Sequence, residues 1–328
     1  MNELYPLKFH PIFKEKIWGG EKIKNIIGLN PDPITNCGEA WVLSGVEGEN
    51  TLIANGYLQG SELYEAIEIY MDELVGEKCF EAFATHFPVL VKLIDANDYL
   101  SLQVHPDDEK AMKNHGVPQG KSEMWYILQA ENNAELINGF LKKMDKDEFL
   151  KHLKNKTLKD ILNIEKVKEG DVFDIPAGRI HALCKGILLA EVQQTSDYTY
   201  RVYDWDRLDS KGNSRELHID FALDAINYNS SKQEILNVSK SIVARQALTE
   251  SMYFVTNKLN INRIAEIDYS GVDSFVIYLC TKGKADVIYK AQAYSICCGE
   301  ILLLPAITQS VNIKTDDKVE ILEIYFPD

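Results

Sequence analysis

An eight-residue pattern occurs twice in this chain. Gly170-Asp171-Val172-Phe173-Asp174-Ile175-Pro176-Ala177 returns as Gly299-Glu300-Ile301-Leu302-Leu303-Leu304-Pro305-Ala306. In each copy a glycine–acid turn leads into a short apolar run, and a proline closes it. Strand-like stretches lie upstream of both. They are Trp125-Tyr126-Ile127-Leu128-Gln129 and its looser counterpart Val276-Ile277-Tyr278-Leu279-Cys280. A turn, a strand and a turn, repeated, constrain the chain to a mainly β fold built from two related units. Aligned on the pattern, His181 falls opposite Ser310.

The 328 residues suit about two domains, and 45% hydrophobic with 26% charged residues is ordinary for a soluble globular protein. No apolar run approaches the roughly 18 residues of a membrane span. The first residues, Met1-Asn2-Glu3-Leu4-Tyr5-Pro6-Leu7-Lys8, lack a signal-peptide core, so a cytoplasmic location is expected. The 6 cysteines include no C-x-x-C pair and read as thiols, not disulfides or a zinc ribbon. A net charge of −15 offers no basic stripe for nucleic acid. A small anionic ligand remains possible, given a local cluster of Lys and Arg, because the general field is screened within about 8 Å at physiological salt.

Along the chain, three helical insertions interrupt the strands, at about 61–86, 106–115 and 142–166. Ser61 is placed to cap the first, where Leu63, Ala66, Ile67, Tyr70, Met71 and Leu74 share a face. Phe149, Leu150, Leu153, Leu158, Ile161 and Leu162 make the apolar stripe of the third. Trp18 and Trp41, each near glycine, read as core packing at turns, with Glu39 and Ser44 flanking Trp41. Asn229 to Gln233 is the best linker, which puts a first domain at 1–235 and a second at 236–328.

The chemistry concentrates in the first domain. Ser101-Leu102-Gln103-Val104-His105-Pro106 alternates like a strand, so Ser101, Gln103 and His105 share one face. Lys121, Glu123 and Trp125 share another strand face, and His181 follows the first copy of the repeated pattern. Gln103, His105, Glu123 and His181 make a mixed N/O donor set that suits zinc, and also iron, manganese or cobalt. Lys92 sits inside the apolar strand Phe87 to Asp95, where a lysine either snorkels at an edge or is held in a polar pocket. A hairpin centred on Ser196 would place Glu191 opposite Arg201. Lys92, Lys121, Glu191 and Arg201 around a metal would form an anion-binding, proton-transferring pocket, as aldose–ketose isomerisation of a phosphorylated sugar requires.

The G-[DE]-x4-P-A pattern recurs in small β-barrels of the cupin type, so two cupin-like barrels with short helical insertions are expected. Ser101 to Pro106, Lys121-Ser122-Glu123, Gly178-Arg179-Ile180-His181-Ala182, Tyr200-Arg201 and the strand Phe87 to Lys92 resemble the type I mannose-6-phosphate isomerases, in their shorter bacterial form. The resemblance runs from Trp18-Gly19-Gly20 to about residue 220. It implies one zinc ion per chain on Gln103, His105, Glu123 and His181, and interconversion of mannose 6-phosphate and fructose 6-phosphate through a cis-enediol. It implies a catalytic pocket of Lys92, Lys121, Glu191 and Arg201, with Glu191 favoured as proton carrier and Ser101 on the substrate side. The second barrel lacks the ligands and is expected to be inert. Two other readings stand beside this one, a metal-dependent cupin oxygenase and a non-catalytic sugar-phosphate-binding bicupin. The expected partner is a small sugar phosphate, with no nucleic acid or membrane, and the chain a monomer or weak homo-oligomer.

Overall fold

The computed structural model describes residues 2–208, 211–229 and 245–327. The fold is mainly β and rests on three large antiparallel sheets. The first has the strand order Val172–Ile175, Glu123–Ala130, Ile187–Gln194, Val89–Ala96, Cys37–Leu43, Ile12–Gly20. The second runs Leu162–Lys166, Glu135–Phe140, His181–Leu183, Leu102–Val104, Tyr200–Tyr203. The third begins Arg245–Glu250, Val255–Asp268, Ser310–Tyr325, Val276–Lys282, Ile301–Leu304, with the hairpin Lys284–Tyr289 and Gln292–Cys297 attached to its longest strand.

The Val89–Ala96 strand is buried along its whole length, which explains its nearly unbroken apolar sequence. Val91 and Leu93 pack in the core shared with Phe275, Ile277, Leu303 and Leu322 of the third sheet. Ile94, on the opposite face, joins Trp18, Trp125, Leu183 and Leu189 toward the second sheet.

The duplicated pattern is a duplicated piece of sheet. Val172 and Phe173 pair with Tyr126 and Trp125, while Ile301 and Leu302 pair with Leu279 and Tyr278. Gly170 and Gly299 both hold the left-handed conformation, at φ 87° and 85°, and donate to Ile127 and Cys280 at 2.8 Å. The flanking order Glu123–Ala130, Ile187–Gln194, Val89–Ala96 reappears as Val276–Lys282, Ser310–Tyr325, Val255–Asp268. This register sets Val276, not Ser274, opposite the end of the pattern as Glu123 is in the first copy. The upstream counterparts expected from sequence were therefore offset by two residues. Ser310, the counterpart of His181, is exposed.

The helical insertions are shorter than their periodicity predicts. The first is three helices, Leu63–Tyr70, Asp72–Val75 and Glu77–Phe83, broken where Met71 and Gly76 take φ 47° and 94°. Glu62, not Ser61, caps it, its N–H donating to Glu65 Oε2 at 2.8 Å. The second is Asp108–His115, with Asp107 accepting the Lys110 N–H at 2.8 Å. In the third only Lys146–Lys154 is α-helical. Leu162–Lys166 instead forms an edge strand against Glu135–Phe140, so ladder pairing overrides the helical period there. Asn229 is described, but the rest of the expected linker and the 235/236 boundary lie outside the described residues. All 6 cysteines are free. Among the described residues no helix is long and apolar enough to cross a membrane.

Candidate active site

The first and second sheets face each other across a cavity of about 260 Å³, near the lower end of the roughly 300–1,000 Å³ typical of small-molecule sites. Side-chain rows on both sheets line it. On the second sheet Gln103 is opposite His181 on one side and Arg201 on the other. On the first sheet Glu191 is opposite Trp125 and Lys92, and Lys92 is opposite Trp41. Opposed positions share a face, so each row aims its polar groups into one space.

Three donors converge at one end. A nitrogen each from His105 and His181 and an oxygen from Glu123 lie within 4.8 Å of one another, and all three residues are buried. His105 Nε2 is 3.3 Å from Glu123 Oε1, and His181 Nε2 is 3.9 Å from Glu123 Oε2. His105 Nδ1 lies 2.8 Å from the Tyr198 carbonyl, and His181 Nδ1 lies 2.8 Å from the Arg179 carbonyl. A carbonyl only accepts, so each Nδ1 carries the proton and each Nε2 turns a lone pair inward. Glu123 Oε2 is buried without a hydrogen-bond partner. Gln103 Nε2 stands 3.3 Å from His181 Nε2, and a half-turn of its amide presents the oxygen instead. Two lone-pair nitrogens, an orphaned carboxylate oxygen and an amide fit a single metal ion.

The electrostatics agree with that donor set. Burial pushes His181 down to about 3, so its imidazole is neutral. Burial opposes charge on Glu123, but the Lys121 ammonium outweighs it and holds the carboxyl well below its ordinary value. Lys121 Nζ donates to Glu123 Oε1 and lies 3.3 Å from His105 Nε2.

At the other side of the cavity, Lys92 Nζ is 3.3 Å from Glu191 Oε1 and Trp125 Nε1–H donates to Glu191 Oε2 at 2.8 Å. Burial and the charge of Glu123 raise the Glu191 carboxyl, with Lys92 and Lys121 working against them. Burial disfavours charge on Lys92, but Glu191 and Glu39 raise it above its ordinary value. Lys92 thus occupies a polar pocket, its Nζ 4.9 Å from the Trp41 ring centre.

The expected hairpin between Glu191 and Arg201 does not form. Their strands belong to different sheets, because Thr195 and Ser196 anchor to Pro88 and Gln119 and carry the chain across. Both side chains nonetheless line the cavity, Arg201 tied by Nη1 to the Glu216 carbonyl at 2.7 Å. Ser101 lines it too, its Oγ donating to Gln103 Oε1 at 3.1 Å.

The sequence reading missed Lys16, Asp197, Thr199 and Arg215 in the lining, and gave Glu39 no cavity role. Glu39 accepts from Trp41 Nε1 at 2.8 Å and pairs with Lys16 at 3.1 Å. The alternation Glu39-Ala40-Trp41 was the available signal. Arg215 comes from a loop without periodicity and is held by Asp204, which also takes Arg207 at 2.7 Å.

Comparison with known proteins gives one family. Residues 6–121 match the catalytic domain of phosphomannose isomerase type I. The chain is 34% identical to a putative mannose-6-phosphate isomerase, YvyI, of Bacillus subtilis, across 94% of this chain and 96% of the relative. It is 33% identical to the mannose-6-phosphate isomerase ManA of that organism, across 92% and 93%. A crystal structure of the mannose 6-phosphate isomerase from Bacillus subtilis, 33% identical, superposes with a TM-score of 0.85 over 97% of this chain and 99% of its own. Identity of this extent, over nearly the whole length, means that the chain belongs to the type I mannose-6-phosphate isomerase family and is an enzyme of that family.

Proposed function

We propose that the chain interconverts mannose 6-phosphate and fructose 6-phosphate by moving a proton between C1 and C2 of the open-chain sugar, through a cis-enediol. One observation carries this reading. A buried carboxylate, Glu191, lines the same small cavity as Gln103 and His181, and His181 clusters with His105 and Glu123 as metal-competent donors.

The metal ligands would be Gln103, His105, Glu123 and His181, holding one zinc ion. When bound, zinc supplies Lewis-acid polarisation of the sugar oxygens at C1 and C2. Glu191 takes the proton from C2 and returns it to C1. Trp125 and Lys92 fix the direction of its carboxylate. Lys121 contacts the sugar hydroxyls or serves as a second acid/base, and Ser101 lies on the substrate side. Arg201 orients the substrate, and with Lys16 and Arg215 lining the same cavity it gives the anionic sugar a cationic surround. The domain division follows from the same logic. Residues 1–235 form the catalytic unit, and 236–328 a cupin-like unit with Val276 and Ser310 in place of two ligands.

The test is turnover of mannose 6-phosphate by metal-stripped and zinc-restored protein in deuterated water. Zinc-dependent formation of fructose 6-phosphate with solvent deuterium at C1 supports the reading. Full activity after stripping, or no activity on this sugar after restoration, overturns it.

A further inference from the structure

A hydroxyl of the C-terminal segment reaches toward the candidate active site. Tyr253 O–H donates to Asp108 Oδ2 at 2.9 Å. The other oxygen of that carboxylate, Oδ1, accepts the Gly120 N–H at 2.8 Å and Gln194 Nε2 at 3.0 Å. Gln194 Oε1 in turn accepts the Ser122 N–H at 2.9 Å. Asp108 therefore grips, directly and through Gln194, the backbone on both sides of Lys121, at Gly120 and at Ser122, the residue before Glu123. The fit at Gly120 is close, since a Cβ there would lie 2.6 Å from the Asp108 nitrogen and 2.7 Å from Oδ1. Tyr253 is itself anchored. Its neighbour Phe254 is buried in the core that joins the first and third sheets, and Ser251 Oγ accepts both the Tyr253 and Phe254 N–H groups.

We infer that Tyr253 is a positioning residue for the reaction, acting through Asp108 on the segment that carries Lys121 and Glu123. The segment that carries the third sheet is then part of the frame of the site. Losing the hydroxyl leaves Asp108 Oδ2 without its donor and frees the carboxylate to turn away from Gly120 and Gln194. Small displacements of positioned groups are costly in catalysis, and outlying hydrogen bonds tune metal affinity as well as turnover.

This inference rests on the proposed isomerisation, so the experiment reads two quantities. Tyr253→Phe is compared with wild type for kcat and KM on mannose 6-phosphate, and for zinc affinity by chelator competition, with Tm followed in parallel. Wild-type turnover is the control for the isomerase reading, while zinc affinity tests the link independently of any reaction. The expected result is a kcat loss of about threefold to tenfold and weaker zinc binding, with KM within about twofold and little change in Tm. Asp108→Asn should restore most of the function lost in Asp108→Ala. Its oxygen still accepts from Gly120 and Gln194, and its amide N–H donates to the Tyr253 oxygen. Wild-type kcat and zinc affinity in Tyr253→Phe, or an Asp108→Asn as damaged as Asp108→Ala, would overturn the inference.

Discussion

Lys92 stands directly across the sheet from Glu191, its Nζ 3.3 Å from the carboxylate, and no other cation is ion-paired to Glu191 among the described residues. The pair sits on neighbouring central strands with both side chains buried. Burial raises the Glu191 carboxyl and Lys92 restrains it. Removing the restraint, as in Lys92→Met, should keep Glu191 protonated to higher pH. The acid limb of the kcat profile should then move upward by about one pH unit or more. A limb at its wild-type position would show that Lys92 does not tune the base.

Glu191→Gln keeps the shape of the side chain and its contact with Trp125, but removes the proposed base. We expect kcat to fall by roughly 10²-fold or more, with modest change in KM and in zinc content. Wild-type kcat, together with continued exchange of the C2 hydrogen with solvent, would place the base elsewhere, with Lys121 next.

His181→Ala and Ser310→Ala change equivalent positions of the two sheet units. His181→Ala should abolish stoichiometric zinc binding and turnover while the circular dichroism spectrum stays that of a folded chain, since a large β core does not depend on the metal as a zinc finger does. Ser310 is exposed and belongs to no metal-donor cluster among the described residues, so its substitution should be silent. Metal analysis and a coupled assay for fructose 6-phosphate check both.

The acid stability of the fold should depend on Glu39. Burial opposes its charge, but Lys92, Lys16 and the Trp41 N–H overcome that and bring the carboxyl from 4.5 down to about 2. A carboxyl depressed in the folded state stabilises above its unfolded pKa. That contribution, up to roughly 3 kcal/mol, is lost as pH falls toward the folded value. The stability difference between wild type and Glu39→Gln should therefore be largest near neutral pH and shrink between about pH 4.5 and 2. Urea unfolding at a series of pH values measures it, and a difference constant with pH would refute the assignment.

Much of this site was legible in the residues. Period-two alternation put Gln103 and His105 on one face, and the glycine-led pattern placed His181 and exposed the duplication. The donors required by a metal are few, which makes their convergence readable from type and spacing. Partner identity was less legible. A strand's sequence states which face a residue takes, not which strand lies beside it, so Glu191 was matched with Arg201 when its neighbours are Lys92 and Trp125. Arg215 was invisible for a related reason, because a loop residue reaches the cavity through tertiary contacts with Asp204. The insertion at 142–166 shows helical periodicity yielding to an available sheet edge.

The same register that matches Val276 to Glu123 matches Glu323 to Glu191, since Tyr278 faces Glu323 as Trp125 faces Glu191. Glu323 is fully buried and its oxygens receive Arg245, Tyr269 and Asn257. An acid stands at both positions, but Glu323 holds three donors within the core, whereas Glu191 lines a cavity. A carboxylate enclosed in this way has no substrate proton within reach. The expected silence of the second unit would then rest as much on hydrogen bonding as on lost ligands, and a scan for missing acids alone would overlook it.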